Sequence, residues 1–295
     1  MKLKLDDLIP KSRWQHCRSV AVCGALAGLL LAAGVAAADP TNAVPAGWRL
    51  VWSDEFNSPD GSAADATKWD YETGGGGWGN QELEYYIAGT NNARVVGGHL
   101  VIEARREKQD QRDYTSARLL TRGKAAWTFG RFEARIQIPR GQGIWPAFWM
   151  LSTNISSVGW PACGEIDIME NIGKEPGTVH GTLHGPGYSG DAGIGGPVTL
   201  PEGQTVADDY HVFAVECELA QVTWFLDGRP YFTVTPASLP PGTKWVFDSP
   251  KYLLLNLAVG GAWPGNPDAT TTFPQQMKVD YVRVYEKIPP EGVTK

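Results

Sequence analysis

The chain is poor in cysteine. It has four in 295 residues, and Cys17 and Cys23 fall within the first 38, which leaves only Cys163 and Cys217 beyond them. Two cysteines can close one disulfide at most. They are too few for a disulfide framework or a four-ligand zinc site. Basic charge is also short, with 26 Lys and Arg against 32 Asp and Glu, a net charge of −6. The first 38 residues hold five of the basic and two of the acidic side chains, so residues 39–295 carry −9. A surface of that sign is not drawn to nucleic acid or anionic membranes, and it points to a neutral partner. Long amphipathic stretches of helical period with caps are missing, so helices should be short and few. There is no internal repeat and no linker to a second module. The glycine-rich runs at 74–82 and 184–190 lack the Lys-Ser/Thr ending and following helix of a phosphate loop, which excludes nucleotide binding. His180 and His184 have no third ligand nearby in sequence, so no metal or other cofactor is expected in catalysis.

The single long apolar run lies at the N-terminus. Lys2, Lys4, Lys11, Arg13 and Arg18 precede an apolar stretch from Ser19 to Ala37, which ends in Ala36-Ala37-Ala38. Residues 1–38 read as a secretory signal cleaved after Ala38. Asp6 and Asp7 are untypical of one, and the competing reading is a membrane anchor, since about 19 weakly apolar residues just span a bilayer. Cys23 precedes the Leu-rich part and does not look like a lipid-acylation site. The remaining 257 residues suit one large domain. The expected division is a lead-in at 39–46, a domain at 47–287 and a tail at 288–295. The expected product is a secreted monomer, extracellular or periplasmic, with no stable membrane association after cleavage.

Short alternating runs recur along this domain. They lie at 48–52, 100–105, 131–138, 178–184, 211–216, 222–226, 231–235, 252–259 and 278–285. Many short strands with frequent turn signals indicate a β-sandwich or barrel. Asp227-Gly228 between two apolar runs marks a two-residue hairpin. In the run from Gly143 to Met150, a strand puts Trp145, Ala147 and Trp149 on one face and Phe148 with Met150 on the other. Two Trp flanking a small Ala can make a platform for sugar rings, or can simply fill a core. Pro146 argues for a bulge or an edge at this strand.

The most informative stretch is Gly164-Glu165-Ile166-Asp167-Ile168-Met169-Glu170. Side chains at i and i+2 share a strand face, so Glu165 and Asp167 point one way and the isoleucines the other. Strict alternation would bury Glu170. A bulge at Ile168-Met169 adds one residue and returns Glu170 to the face of the other acids. The backbone from Glu165 to Glu170 then covers roughly 13 Å, at about 3.3 Å per step. Converging side chains leave roughly 5 to 6 Å between the outer carboxyls. That is close to the gap of about 5 to 5.5 Å between the two carboxyls of a retaining glycosidase. A solvated acidic strand face is the competing reading.

Several stretches together resemble glycoside hydrolase family 16, and within it the laminarinase-like endo-β-1,3-glucanases. They are WSDEF at 52–56, GWGNQELEYY at 77–86, RGQGIWPAFWML at 140–151, GEIDIMENIG at 164–173, GTLHGPGYSG at 181–190, and NLAVGGAWPG at 256–265 followed by VDYVRVY at 279–285. The resemblance implies an all-β jelly-roll sandwich of two antiparallel sheets with a concave substrate cleft. It implies Glu165 as nucleophile, Glu170 as acid/base, and Asp167 hydrogen-bonded to the nucleophile. Crowding of the three acids should raise the pKa of one, which suits Glu170 as the proton carrier. It implies a β-glucan partner held by Trp145 and Trp149, with Asn80, Glu82, His184 and Trp263 in the same groove. It also implies a structural calcium at Glu55 and Asp280, for which two solvated surface acids are the alternative. One departure is Cys217, where the family leads one to expect Trp. The extra Met169 resembles the bulged strand of laminarinases, agarases and carrageenases. The GWGNQE and HGPGYSG stretches favour a glucan, with mixed β-1,3/1,4 linkage also open, and a chain at −9 is ill suited to a sulfated substrate. A non-catalytic glucan-binding protein and a transglycosylase are the alternatives in function.

Overall fold

The computed structural model describes residues 44–289, so the expected signal at 1–38, residues 39–43 of the lead-in and the tail beyond 289 lie outside the described residues. The strands are β1 (Trp48–Asp54), β2 (Asp70–Glu72), β3 (Glu84–Tyr86), β4 (Ala93–Val96), β5 (His99–Ala104) and β6 (Tyr114–Ser116). They continue with β7 (Arg118–Leu120), β8 (Gly130–Gln137), β9 (Ile144–Ser152), β10 (Glu165–Glu170), β11 (Thr178–His184) and β12 (Ile194–Thr199). The last are β13 (His211–Glu218), β14 (Gln221–Leu226), β15 (Arg229–Val234), β16 (Lys251–Val259) and β17 (Gln275–Lys287). The one α-helix among the described residues, α1 (Ile155–Val158), is a single turn, and none is long and apolar enough to cross a membrane.

Two antiparallel sheets form a jelly-roll sandwich. One runs β15-β14-β13-β8-β17-β5-β4, with β1 also on β17, and the other runs β12-β11-β10-β9-β16-β7-β2. Strands β3 and β6 form a small parallel pair. The core lies between the sheets: Phe132, Val215, Trp224 and Val282 from the first meet Phe148, Met150, Ile166, Ile168 and Leu253 from the second. Burying such side chains stabilises by about 1.5–3 kcal/mol each. The Asp227-Gly228 turn has φ of 50° and 74°, the paired left-handed values of a type I′ hairpin, and it joins β14 to β15 as the dipeptide predicts.

One expectation changes, and one question left open by the sequence is answered. Pro146 lies inside β9, a central strand between β10 and β16, opposite Leu257. It is tolerated because β10 has already ended at Glu170, opposite Ala147, so no ladder bond is needed from the proline nitrogen on that side. The bulge sits on the neighbouring strand instead. The cysteines are free and buried apart, Cys163 beside Leu151, Tyr252 and Leu254, and Cys217 in the main core.

Candidate active site

The bulge in β10 is visible in its register with both neighbours. Asp167 pairs with Trp149 of β9, and the next pair is Met169 with Phe148, so Ile168 is the extra residue. On the other side Asp167 pairs with Thr182 and Glu170 with His180. Ile168 and Met169 both enter the core, and Glu170 returns to the outer face with Glu165 and Asp167. The carbonyl of Asp167, at the bulge, accepts a 2.7 Å bond from Trp224 Nε1 of the opposite sheet. Gly181 makes that reach feasible, since a Cβ there would lie 2.4 Å from Trp224 Cδ1.

Each acid has a distinct partner. Glu165 Oε2 accepts from Trp160 Nε1 at 2.8 Å. Glu170 Oε1 accepts from Trp145 Nε1 at 3.1 Å. His184 Nε2 lies 3.0 Å from Asp167 Oδ2, near enough for an ion pair but off the line of a hydrogen bond. The Glu165 and Asp167 carboxyls lie near enough to each other to share a proton. Asp167 is 3% exposed and Glu170 9%, so these charges are poorly hydrated. Burial first, then the Asp167 charge, pushes Glu165 up to about 8. Burial pushes Asp167 up to about 7. Glu170 is held well above the ordinary carboxylate value by burial, then by the Asp167 charge and less by Glu165, while His184 and the Trp145 bond act the other way. All three are therefore raised. The arrangement holds protons at neutral pH on closely spaced, poorly hydrated carboxyls. Glu165, Asp167 and His184 also offer three metal-ligand atoms within 4.8 Å of one another.

The aromatic platform continues from this face. Trp263 packs edge-on against Trp145, with centroids 5.5 Å apart, and against His180 at 5.0 Å. Trp149 Nε1 donates to Asn256 Oδ1 at 2.7 Å, and Asn256 Nδ2 donates to Tyr86 Oη at 3.1 Å. The Tyr86 hydroxyl donates to Glu82 Oε2 at 3.0 Å, and Asn80 Nδ2 donates to Glu82 Oε1 at 3.1 Å. Glu82 is only 3% exposed and both its oxygens are occupied. It therefore bears on the groove through its bonds to Asn80 and, by way of Tyr86 and Asn256, to Trp149. Arg118 lies between the Trp78 and Trp149 rings, 4.7 and 4.6 Å from their centroids, and pairs with Glu72 at 2.7 Å.

Glu55 and Asp280 do not fit a cation. Both Glu55 oxygens accept from Arg283, at 2.9 and 2.8 Å. Asp280 accepts from Arg135 at 2.8 Å and faces His99 at 3.7 Å. Calcium requires six to eight oxygen ligands. Here guanidinium groups hold the carboxylates, and neither belongs to a cluster of metal-ligating side chains among the described residues.

Trp160, Arg118, Tyr86 and Asn256 were not singled out by sequence reasoning as site residues. Trp160 alone carries a local signal, standing five residues before Glu165 just ahead of the acidic strand. The others reach the groove from distant parts of the chain.

The model for glycosyl hydrolases family 16 matches residues 70–283. A β-glucanase of Rhodothermus marinus is 46% identical over 273 residues, covering 88% of this chain and 92% of that protein. Among solved structures, the laminarinase catalytic domain of Thermotoga maritima has a TM-score of 0.77 at 50% identity, covering 81% of this chain and 98% of that one. The endo-β-1,3-glucanase of Pyrococcus furiosus has a TM-score of 0.76 at 53% identity, covering 81% and 94%. The acid-bearing sheet face and these likenesses agree: the chain belongs to glycoside hydrolase family 16, and it is an enzyme of the laminarinase-like kind.

Proposed function

We propose that the protein is a secreted endo-β-1,3-glucanase that cuts laminarin-type glucans, and also mixed-linkage β-1,3/1,4-glucan, with retention of anomeric configuration. The observation that carries this reading is the bulge at Ile168, which sets Glu165, Asp167 and Glu170 on one sheet face beside the Trp145–Trp263 pair. In the first step the ionised Glu165 attacks the anomeric carbon. The glycosidic C–O bond breaks as Glu170 gives its proton to the leaving oxygen. The product is a glycosyl ester on Glu165. In the second step Glu170, now ionised, takes a proton from water, whose oxygen attacks the same carbon and releases Glu165. Glu165 and Asp167 share a proton, and the form that attacks is the one in which Asp167 holds it and Glu165 is ionised. The high pKa of Glu170 suits its role as acid at neutral pH.

Secretion rests on the basic and apolar run of residues 1–38 and its Ala36-Ala37-Ala38 ending. The proposed mature chain is a monomer with its catalytic domain at 47–287, no nucleic-acid partner and no stable membrane association.

The test is release of reducing ends from laminarin by protein beginning at Asp39, with barley mixed-linkage glucan, agarose and carrageenan in parallel. Short oligosaccharides from laminarin, first appearing as the β-anomer by proton NMR, are expected. Cleavage of agarose or carrageenan alone overturns the substrate, and a first-formed α-anomer overturns the retaining mechanism.

A further inference from the structure

A second pair of buried carboxyls lies behind the groove, and the reaction does not use it. Glu82 and Glu84 are 3% and 0% exposed, and their carboxyls are within hydrogen-bonding reach of each other. Glu84 Oε2 accepts from the Val259 backbone N–H at 2.6 Å. Its other oxygen, Oε1, is buried and receives no hydrogen bond. An orphan carboxylate oxygen at zero exposure is destabilising, unless the oxygen carries a proton and becomes a donor.

The direction of the neighbouring bonds says where that proton points. An indole N–H can only donate. Because Trp149 donates to Asn256 Oδ1, the other end of the amide must donate, and Tyr86 Oη receives it. The phenol hydrogen is thereby sent to Glu82. Asn80 donates there too. Every donor in the chain runs toward Glu82, which must be the ionised acceptor at its end, and Glu84 is the group beside it with an oxygen to spare.

We propose that Glu84 is a neutral carboxylic acid that donates its proton to Glu82, and that it is a positioning residue which, through Tyr86 and Asn256, fixes the Trp149 indole at the floor of the glucan groove. The role rests on the glucanase reading insofar as Trp149 contacts substrate. Burial, and next the Glu82 charge, holds the Glu84 carboxyl well above its ordinary value, against the smaller opposing effect of the Val259 N–H. Tyr86 is likewise raised, by burial and then by Glu84 and Glu82, with Arg118 the nearby cation acting the other way. Loss of the shared proton leaves two adjacent buried carboxylates. That repulsion breaks the bonding order which holds Trp149.

Three proteins test this: the parent, Glu84→Gln and Glu84→Leu. The Gln amide can still donate to Glu82 and accept from Val259, whereas Leu can do neither. On laminarin at pH 6, Glu84→Gln is expected to keep kcat and KM within about threefold. Glu84→Leu is expected to raise KM about tenfold or more with kcat within about threefold. Toward alkaline pH, KM of the parent rises and that of Glu84→Gln stays flatter. The infrared difference spectrum of parent minus Glu84→Gln at pH 7 should contain the C=O stretch of a protonated carboxyl. Absence of that band overturns the inference whether or not laminarin is the substrate. Equal KM changes in Gln and Leu, or superimposable KM profiles for parent and Gln, overturn it as well. If Glu84→Leu does not fold, the comparison of parent with Gln decides. Failure to cut laminarin with the band present removes the substrate reading and leaves the neutral acid standing.

Discussion

Glu165→Gln should make the protein more stable, and increasingly so as pH rises. The folded state holds Glu165 at about 8 against an ordinary 4.5, through burial and the Asp167 charge. A raised carboxyl pKa means that the folded state binds the proton more tightly than the unfolded chain does. The associated stability is complete below about 4.5 and is lost as pH climbs through about 8. At about 1.36 kcal/mol per unit, the loss is roughly 3 kcal/mol at pH 7 and roughly 4 kcal/mol at pH 8. Glutamine has no proton to lose, accepts from Trp160 as the carboxylate does, and can donate to Asp167. The two proteins should therefore match at pH 4.5 and diverge above it. With roughly 2–4 °C per kcal/mol for a domain of this size, the variant should melt roughly 6–12 °C higher at pH 7. Scanning calorimetry of both proteins at pH 4.5, 6, 7 and 8 reads this directly. A gap that is the same at pH 4.5 and 8, or no gap at pH 8, would refute the claim that the site confines charge at the expense of stability.

The same substitution, and Glu170→Gln, should each lower kcat on laminarin by about 10³-fold or more, since each removes a group that makes or breaks a bond; a loss under tenfold would reassign the roles. Trp160→Phe deletes the 2.8 Å donor to Glu165, and a bond to a charged group is worth about 1.5–3 kcal/mol. The acid limb of kcat/KM should move up by about one pH unit, and an unmoved limb would mean that the contact does not govern the nucleophile. Lys251 is fully buried and donates to the carbonyls of Thr128, Phe247 and Ser249. Lys251→Met strands three acceptors and should cost about 3–5 kcal/mol, read as a lower urea midpoint at unchanged m-value.

What was legible in the sequence is what has a short period. Alternation marked the strands, Asp227-Gly228 marked a hairpin, and one residue too many between Asp167 and Glu170 marked a bulge that both neighbouring strands register. The supports of the site were not legible, because they close over long separations. Trp149 meets Asn256 across 107 residues and Asn256 meets Tyr86 across 170. Glu55 was read as an available carboxylate because its guanidinium partner stands 228 residues away. Pro146 was read as an edge signal, yet whether a central strand tolerates proline depends on where its neighbour stops, and that is fixed by the fold.

The bulge also explains why both sheets are needed to make one site. Adding a residue to β10 turns Glu170 outward, and a bulge leaves ladder groups without their strand partners. At this one the Asp167 carbonyl is met by Trp224 from the other sheet, and Trp224 reaches it only because Gly181 on β11 has no side chain in the way. The acid face of one sheet thus depends on an indole of the other and on a glycine beside it. None of the three is a separate feature. Removing the indole or filling the glycine should strain the bulge first, and through it the spacing of the carboxyls.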